Sequence, residues 1–450
     1  MSNVKYLQLR TFIPVIAAVF CCGQTGYSQD LNWEKWPIDS SGNGADGVDT
    51  ADINGDGRLD VVSGWEQSGE IKLYINPGRH QIRGKTPWPA TEISSNLEIE
   101  GIEDAAFADL DLDGSVETII SSIEGDTKTL GIHWVQGQMF DDPKNWRAIV
   151  LTPGESAGYM KARAAQIDGV GAADIVAGTR ELDGEKAGIY WFKSPQRSAA
   201  GHVHGWQRFF IGELDFKTVT LVIKDMDADG IADIVYSGRT GVGWFKNPGP
   251  EALAEHPEKA FWERIVISPT GSEFVFCDLD LDGDEDIVTA TSRRSAMVAI
   301  WLERLDASGR HWAQFPIASD DQRPGKASGE KFVLKGVDCG FVDGDDKIDL
   351  VFTASGHGNG VFMMTPRTDV HTSEPWELRN ITPYTDSMKY DNLQLVDIDG
   401  DRDLDIVTTE EGEGIFSAGE GVLWFENPLY SADSELTEAN APQTIKTPGQ

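Results

Sequence analysis

The sequence has few basic residues, few cysteines and, beyond its N-terminus, no long hydrophobic run. Its 450 residues include 38 Lys and Arg against 74 Asp and Glu, which gives a formal charge of -36. Nucleic-acid phosphates and anionic membrane surfaces are bound through Lys and Arg, so we expect neither as a partner. No run after the N-terminus is apolar enough to span a bilayer, so membrane insertion is not expected either.

The N-terminus has the composition of a secretory signal peptide. Lys5 and Arg10 precede an apolar run, Phe12 to Cys22, that is too short to cross a bilayer. Small residues before Gln29 suit signal peptidase. We therefore predict that residues 1–28 are removed and that the mature chain is secreted to the periplasm or the cell exterior.

One loop pattern recurs seven times along the chain. In ADINGDGRLDVV, oxygen-bearing residues take positions 1, 3, 5 and 9, and Gly57 takes position 6, where the backbone bends. Oxygen side chains on alternate residues of a tight turn can all face one hard cation. The acid at position 9 recurs every 53 to 63 residues, at Asp60, Glu117, Asp174, Asp233, Asp286, Asp349 and Asp405.

The same series of short strands follows each loop. A β-branched run such as DIVAG comes first, then a strand such as GVGWFKNPG, then a strand headed by Trp. Seven such units predict an all-β, seven-bladed β-propeller with four strands per blade, over residues 29–430. Trp33 to Ile38 is an orphan Trp strand and the last copy lacks one, so this N-terminal strand is predicted to complete the last blade and close the ring. A linear solenoid would not account for that displaced strand. Residues 431–450 are polar and predict a disordered tail.

These motifs resemble the FG-GAP/VCBS repeat family. The DxDxDGxxD loop, the DIV strand and the G-x-x-W-F-x-N-P strand carry the resemblance over essentially the whole mature chain. It implies a secreted or cell-surface β-propeller, related in architecture to the integrin α-subunit head, with calcium in the loops. The family includes adhesion modules, glycan-binding proteins and polysaccharide-active enzymes, so the fold leaves the function open.

Five of the seven loops keep four oxygen ligands and predict several structural Ca²⁺ sites. Carboxylates crowded into one turn would repel one another without a cation. Copy 3 has lost two anionic ligands and is expected to hold no firmly bound ion, and copy 6, with Phe341 at position 1, is expected to hold a marginal one. In copy 7, Arg402 replaces the glycine and should weaken the site. The predicted ligands are Asp52, Asn54, Asp56, Asp60, Asp109, Asp111, Asp113, Glu117, Asp225, Asp227, Asp229, Asp233, Asp278, Asp280, Asp282, Asp286, Asp397, Asp399, Asp401 and Asp405.

The inner strand of each blade runs into position 1 of its loop, so a count back from the loop separates two sets of side chains. Residues two and four before the loop are apolar and are predicted to face the blade core. Residues one, three and five before it are predicted to face the central channel.

A disulfide is the default for the two cysteines left after cleavage in an exported chain. By this count, however, Cys277 faces the channel and Cys339 the core, so we expect no disulfide between them.

Polar and charged residues collect at the end of the channel away from the metal loops. Cations in copies 3 to 6 would suit a carboxylate or sulfate on a ligand. The alternative is that the charged residues only form salt bridges that seal the channel. The predicted ligand residues at this channel mouth are Asp49, Asp104, Lys161, Arg163, Arg180, Arg239, Glu273, Asp338, His357 and Asn392.

Three functions remain open at this point. The first is a secreted, calcium-stabilised binding module for a glycan, in particular an acidic one. The second is a carbohydrate-active enzyme such as a polysaccharide lyase, in which Lys161 or Arg163 would neutralise a uronate and His357 or a nearby acid would move the proton. The third is a protein adhesion module. A polysaccharide or a surface protein is the expected partner, and a monomer is the expected state.

Overall fold

The computed structural model describes most of the chain after the predicted signal peptide. The predicted signal peptide, the predicted tail and three predicted site residues, Glu117, Arg239 and His357, lie outside the described residues. No helix in the described part of the chain is long and apolar enough to cross a membrane. The described residues are 33–94, 101–114, 116, 118–123, 130–135, 139–151, 158–181, 186–195, 205–238, 241–290, 299–317, 332–356, 360–382, 388–412 and 419–430.

Within the described ranges, seven four-stranded antiparallel sheets follow one another, one for each repeat. Blade 1 consists of β2 (Ala45–Ala51), β3 (Asp60–Trp65), β4 (Glu70–Tyr74) and β5 (Ala90–Glu92). Blade 2 consists of β6 (Ile102–Ala108), β7 (Thr118–Ile123), β8 (Leu130–Val135) and β9 (Trp146–Leu151). Blade 3 consists of β10 (Gly158–Ala165), β11 (Asp174–Arg180), β12 (Gly188–Lys193) and β13 (Gln207–Glu213). Blade 4 consists of β14 (Thr218–Lys224), β15 (Asp233–Gly238), β16 (Gly241–Lys246) and β17 (Glu263–Ser268). Blade 5 consists of β18 (Phe274–Cys277), β19 (Asp286–Ala290), β20 (Ala299–Arg304) and β21 (Trp312–Ile317). Blade 6 consists of β22 (Phe332–Gly340), β23 (Asp349–Gly356), β24 (Gly360–Thr365) and β25 (Glu377–Asn380). A short helix, α1 (Pro250–Glu255), and 3-10 turns at Pro143–Asn145 and Pro257–Lys259 lie in connections between strands.

The two ends of the chain share the last blade, as predicted. Blade 7 consists of β26 (Tyr390–Val396), β27 (Asp405–Glu410), β28 (Gly421–Glu426) and the N-terminal strand β1 (Glu34–Asp39). β1 pairs antiparallel with β28 and places Trp36 opposite Trp424. The inner strand β2 of blade 1 contacts β6 on one side and β26 on the other, which closes the ring. The prediction of a closed propeller from the displaced Trp strand is therefore confirmed.

The hydrophobic cores lie between neighbouring blades. The β-branched second strands are buried on both faces, as in β15 and β27, because each blade is covered by one neighbour on each side. The Trp of the third strand fills the space between blades. Trp191, Trp244, Trp301 and Trp424 are each at most 1% exposed. Packing between blades holds each inner strand in position. The metal loops and the channel residues are held in position too, because they belong to these strands or follow them directly.

The asparagine of the NP motif joins each of three blades to the blade before it. Asn247, which follows β16, donates from Nδ2 to the backbone oxygens of Ala232 in its own blade and Ile167 in blade 3, both at 3.0 Å. Asn427 does the same for blades 7 and 6, and Asn76 for blades 1 and 7. The recurrence of this asparagine in the sequence is therefore explained by blade-to-blade contacts close to the metal loops.

Cys277 and Cys339 form a disulfide, so the expectation that they would not pair is wrong. Their Cα atoms are 6.4 Å apart, on the inner strands of blades 5 and 6. The expectation treated alternate side chains as facing either the channel or a core. In the propeller they instead face the two neighbouring blades, and both cysteines pack in or against the one apolar cluster between blades 5 and 6. Opposite parity on adjacent blades therefore brings the two sulfur atoms together.

Candidate functional site

The metal loops connect the inner strand of a blade to its second strand and share a backbone shape. In loop 4 the first aspartate, Asp225, accepts the backbone N–H groups of Asp229 at 3.2 Å and Gly230 at 2.8 Å. Gly230 has a φ of 82°, in the left-handed region that glycine adopts without a Cβ clash. Arg402 has a φ of 81° at the same position of loop 7, which is unfavourable for a residue with a side chain.

Loops 2, 4 and 5 bring together the carboxylates of their first, third and fifth residues. In each loop, one oxygen of every acid lies within 4.8 Å of the others. Oδ1 of Asp227 and Oδ1 of Asp278 are buried and accept no hydrogen bond from the described residues. A buried carboxylate oxygen without a partner is costly, and oxygen ligands on alternate residues suit Ca²⁺, so these loops fit the predicted ion. The acids that would hold it are Asp109, Asp111, Asp113, Asp225, Asp227, Asp229, Asp278, Asp280 and Asp282.

Lysine side chains enter loops 3 and 4. Lys193 donates to Asp168 in loop 3, where two of the anionic ligands are missing. This ammonium group supplies the positive charge locally and favours the expectation that copy 3 holds no firmly bound ion. Lys246 occupies the same strand position in blade 4, with its Nζ 2.7 Å from Asp229. An ion in loop 4 would have to displace that lysine.

Loop 7 contains an arginine from another blade, which the sequence did not reveal. Arg83 of blade 1 donates to Asp399, lies 3.6 Å from Asp401 and donates from Nε to Glu426 at 2.8 Å. Burial and the neighbouring Asp401 raise the pKa of Asp399 to about 7, although Arg83 acts in the opposite direction. The sequence predicts a weak site here from Arg402 alone, and Arg83 adds a second, permanent competitor for the acids of the loop.

The acid at the ninth position has a separate structural role. Asp233 is fully buried; it accepts the N–H of Met226 in the loop at 3.0 Å and the N–H of Asn247 after the third strand at 2.7 Å. Asp60, Asp174 and Asp405 make the same two kinds of contact. Burial raises the pKa of Asp174 to about 6 and that of Asp60 to about 7. These acids fasten the loop to the third strand, which explains why copy 3 keeps Asp174 after losing other ligands.

At the channel mouth, three of the predicted ligand residues form one ion-paired cluster. Asp104 on β6 is 1% exposed. Its Oδ1 lies 3.3 Å from Lys161 Nζ, and its Oδ2 accepts a hydrogen bond from Arg163 Nη1 at 2.8 Å. Both cations come from β10 of the next blade. The two channel cations are therefore paired with a buried acid rather than left free for an anionic ligand.

Asp49 and Asp338 bind the backbone of the neighbouring blade. Oδ2 of Asp49 accepts the N–H of Phe107 in β6 at 2.9 Å, and Oδ2 of Asp338 accepts the N–H of Leu395 in β26 at 2.8 Å. An inner strand has no strand partner on its channel side, so such N–H groups need other acceptors. Burial raises the pKa of Asp338 to about 6. The two aspartates thus join blades, a role that the sequence did not predict.

The mouth also contains three charged side chains that the sequence count missed: Asp46, Lys335 and Asp391. Each lies six residues before its loop, beyond the positions that the count assigned, where simple alternation would direct a side chain to the core. The inner strands shift register near this point, between Ala45 and Val48 in blade 1, and such a bulge turns the preceding side chains to the other face. Lys335 Nζ lies 2.8 Å from Asp391 Oδ2. Because hydrophobic periodicity does not show a bulge, no signal in the sequence identified these residues.

The remaining predicted residues differ in their positions. Glu273 precedes β18, and its Oε2 accepts a hydrogen bond from Thr220 Oγ1 at 2.7 Å. Oδ1 of Asn392 accepts the N–H of Leu393 in its own strand at 2.8 Å. Arg180 ends β11 and forms an isolated bridge with Lys217. Arg239 and His357 lie outside the described residues, so their predicted roles stay predictions.

Comparisons with known proteins agree with this architecture. The FG-GAP-like repeat family matches residues 52–120 and 225–289, which contain loops 1, 2, 4 and 5. No curated protein matches the chain.

Three solved structures are similar to the chain at low identity. An Agrocybe aegerita lectin that recognises non-reducing terminal N-acetylglucosamine is 14% identical, with 74% of this chain and 79% of the lectin covered and a TM-score of 0.44. The BP39L lectin from Burkholderia pseudomallei is 14% identical, with 87% and 100% covered and a TM-score of 0.48. BBS1N in complex with ARL6DN is 10% identical, with 87% and 96% covered and a TM-score of 0.49. Likenesses at this level bear on neither ligand nor partner. The family match and the seven four-stranded sheets identify the chain as an all-β propeller that contains FG-GAP-like repeats.

Proposed function

We propose that the protein is a secreted, calcium-stabilised propeller that binds carbohydrate at the channel mouth. One observation carries this proposal: charged side chains from five blades act on one another at the inner-strand ends that the sequence predicts to form the channel mouth. The charges of Lys161, Lys335 and Asp391 influence the pKa values of both Asp46 and Glu273. The opening therefore combines ammonium donors and carboxylate acceptors at close range, and sugar hydroxyls can bond to both kinds of group.

The ion pairs favour a neutral sugar over an acidic one. Asp104 pairs with both Lys161 and Arg163, and Asp391 pairs with Lys335. A uronate would have to replace these carboxylates, and an unpaired carboxylate left behind in the partly dehydrated mouth would oppose it. A neutral sugar can instead insert hydroxyl groups without separating the pairs. The sequence favours an acidic glycan, so the binding test includes uronate-containing oligosaccharides beside neutral ones.

Substitution of Lys161 by Met is expected to weaken binding of neutral oligosaccharides about tenfold, a loss of about 1.4 kcal/mol. The substitution removes the ammonium donor but keeps most of the apolar stem. Binding would be measured by screening neutral and uronate-containing oligosaccharides on an array, followed by titration calorimetry of those that bind.

The matched control is Lys186→Met, because Lys186 is an exposed lysine that pairs with Glu213 on the outer strand β13. Neutral-sugar binding that falls in Lys161→Met and persists in Lys186→Met supports the proposal. Equal binding by both variants would contradict it, and binding of uronates alone would contradict the preference for neutral sugars.

A second candidate is a carbohydrate-active enzyme that uses the same channel mouth, because Glu273 and Asp391, whose charges influence each other, differ in protonation. Burial raises the pKa of Glu273 to about 7. Burial also acts to raise the pKa of Asp391, but Lys335 and Lys389 outweigh it and lower that pKa to about 2. Glycoside cleavage needs one protonated acid and one ionised carboxylate, and these two groups differ in protonation in that sense. New reducing ends from neutral glycans, or unsaturated products from polyuronides, that disappear in Glu273→Gln would establish activity.

Glu273 also predicts a pH dependence of stability. Its pKa rises from 4.5 to about 7 in the folded protein, because burial favours the protonated form. Its stabilising contribution is therefore complete below about pH 4.5 and is lost as the pH rises through about 7. In thermal unfolding at constant calcium, the wild type should lose stability between about pH 5 and pH 8 relative to Glu273→Gln, whose amide does not titrate. Parallel stability curves for the two proteins would contradict the assignment.

A further inference from the structure

A histidine from blade 6 meets two acids of blade 5 beside metal loop 5. Nε2 of His371, in the connection between β24 and β25, lies 3.5 Å from Oδ2 of Asp280 and 3.4 Å from Oε1 of Glu303. Asp280 is the third residue of loop 5, and Glu303 is on β20. One ligand atom of each residue lies within 4.8 Å of the others. Three potential metal ligands from two blades therefore converge on one point.

The histidine is held in an orientation that suits a metal ligand. Its Nδ1 lies 3.0 Å from Oδ1 of Asp369, so Nε2 is the nitrogen directed at the two acids. A carboxylate on the second ring nitrogen commonly orients a metal-binding histidine and increases its basicity. The ring also packs edge-on against Trp301 and Phe315, with centroids 4.9 and 5.8 Å away. These contacts limit rotation of the imidazole away from the acids.

Blade 1 places a permanent cation where blade 6 has this histidine. Arg83 lies five residues before the outer-strand Trp88, and His371 lies five residues before Trp376. Arg83 pairs with Asp399 at the third position of loop 7 and with Glu426 on β28, which correspond to Asp280 and Glu303 in blade 5. Blades 5 and 7 thus present the same acid pair, but only the arginine neutralises it without a metal at every pH of interest.

We propose that Asp280, Glu303 and His371 bind a divalent transition-metal ion such as Zn²⁺ between blades 5 and 6. An imidazole with two carboxylates suits zinc, whereas calcium takes oxygen ligands alone. Asp280 is also a predicted calcium ligand, so it would bridge the calcium of loop 5 and the transition metal with different oxygens. The side chains of Asp280 and Glu303 are 11% and 18% exposed and that of His371 is 43% exposed, which leaves a path for the ion and for water ligands.

The test is calorimetric titration with ZnCl₂ at saturating calcium. Wild type is expected to bind one zinc more tightly, by at least about tenfold, than His371→Ala. His311→Ala is the matched control, because His311 also pairs through Nδ1 with one aspartate, Asp306, but is not part of this cluster. Equal zinc binding by wild type and His371→Ala, or loss of the same zinc in His311→Ala, would overturn the proposal.

A second variant, His371→Arg, separates metal binding from folding. It copies the arginine of blade 1 and retains a cation for Asp280 and Glu303, so its melting temperature without zinc should stay close to that of the wild type. Zinc should raise the melting temperature of the wild type and leave that of His371→Arg unchanged. A zinc-induced rise of the same size in His371→Arg would place the responsible site elsewhere.

Discussion

Removal of calcium is expected to lower the melting temperature of the propeller by about 10 °C or more. Five loops keep four oxygen-bearing ligand residues, and Lys246 and Arg83 compete for the acids of loops 4 and 7, so loops 1, 2 and 5 are expected to contribute most. In loop 5, Oδ1 of Asp278 is buried and accepts no hydrogen bond from the described residues. Each site contributes about 2.7 kcal/mol when free calcium is about 100 times its Kd, so three sites contribute about 8 kcal/mol. The measurement is thermal unfolding in excess calcium and in excess chelator.

Two substitutions make this prediction specific. Asp278→Asn removes a first-position ligand of loop 5 and should lower the number of bound calcium ions by one in equilibrium dialysis. Asp168→Asn lies in loop 3, where Lys193 already pairs with the acid; it should leave that number unchanged. Equal melting temperatures in calcium and in chelator would exclude a structural ion, and loss of a calcium in Asp168→Asn would contradict the assignment of loop 3.

Substitution of a ninth-position acid is expected to destabilise the propeller even where no ion binds. Asp174 is the clearest case, because loop 3 has lost other ligands. Its oxygens accept the N–H of Ser194 at 2.7 Å and the N–H of Ile167 at 3.2 Å in a fully buried setting. Asp174→Ala leaves both donors without a partner, at about 1–3 kcal/mol each, so the expected loss is about 2–6 kcal/mol.

Chemical unfolding in chelator measures this loss without any contribution from calcium. The control is Asp229→Ala, which removes an exposed fifth-position acid and should cost about 1 kcal/mol or less under the same conditions. A small effect of Asp174→Ala in chelator would show that the ninth acid does not fasten the loop. A large effect of Asp229→Ala in chelator would show that the whole loop, rather than the ninth acid, carries the stability.

Sequence repeats determined the architecture because each repeat is one blade. The constant order of loop, β-branched strand, Trp-Phe strand and Trp strand predicted the four-stranded sheets, and the displaced strand at Trp33 predicted the closure. The same reasoning failed for the pair Cys277 and Cys339. Counting along a strand shows only which of the two sides of its blade a side chain faces. Whether two side chains on different strands meet depends on which blade covers each of those sides.

The site could be predicted only where it follows from local spacing. The acids of loops 2, 4 and 5 come together because they alternate in one turn. Asp46 was missed because a bulge reverses the parity beyond it, and the contact of Arg83 with Asp399 joins residues 316 positions apart. A periodic sequence pattern predicts neither a bulge nor a contact between the first and last blades. Side chains at blade boundaries are therefore the part of this fold that sequence reasoning reaches least.

The strand that closes the ring also makes incomplete chains easy to distinguish from finished ones. β1 is synthesised first, yet Nε1 of Trp36 bonds to Glu426, 390 residues later. A chain that stops early has a free β1 and an unfinished seventh blade, so it exposes unpaired strand edges that chaperones and proteases recognise. Exposed charges at Glu34 and Lys35, with Pro37 beside them, limit pairing of the waiting strand with other chains. The position of one six-residue strand thus makes the ring complete only when the last blade has been synthesised.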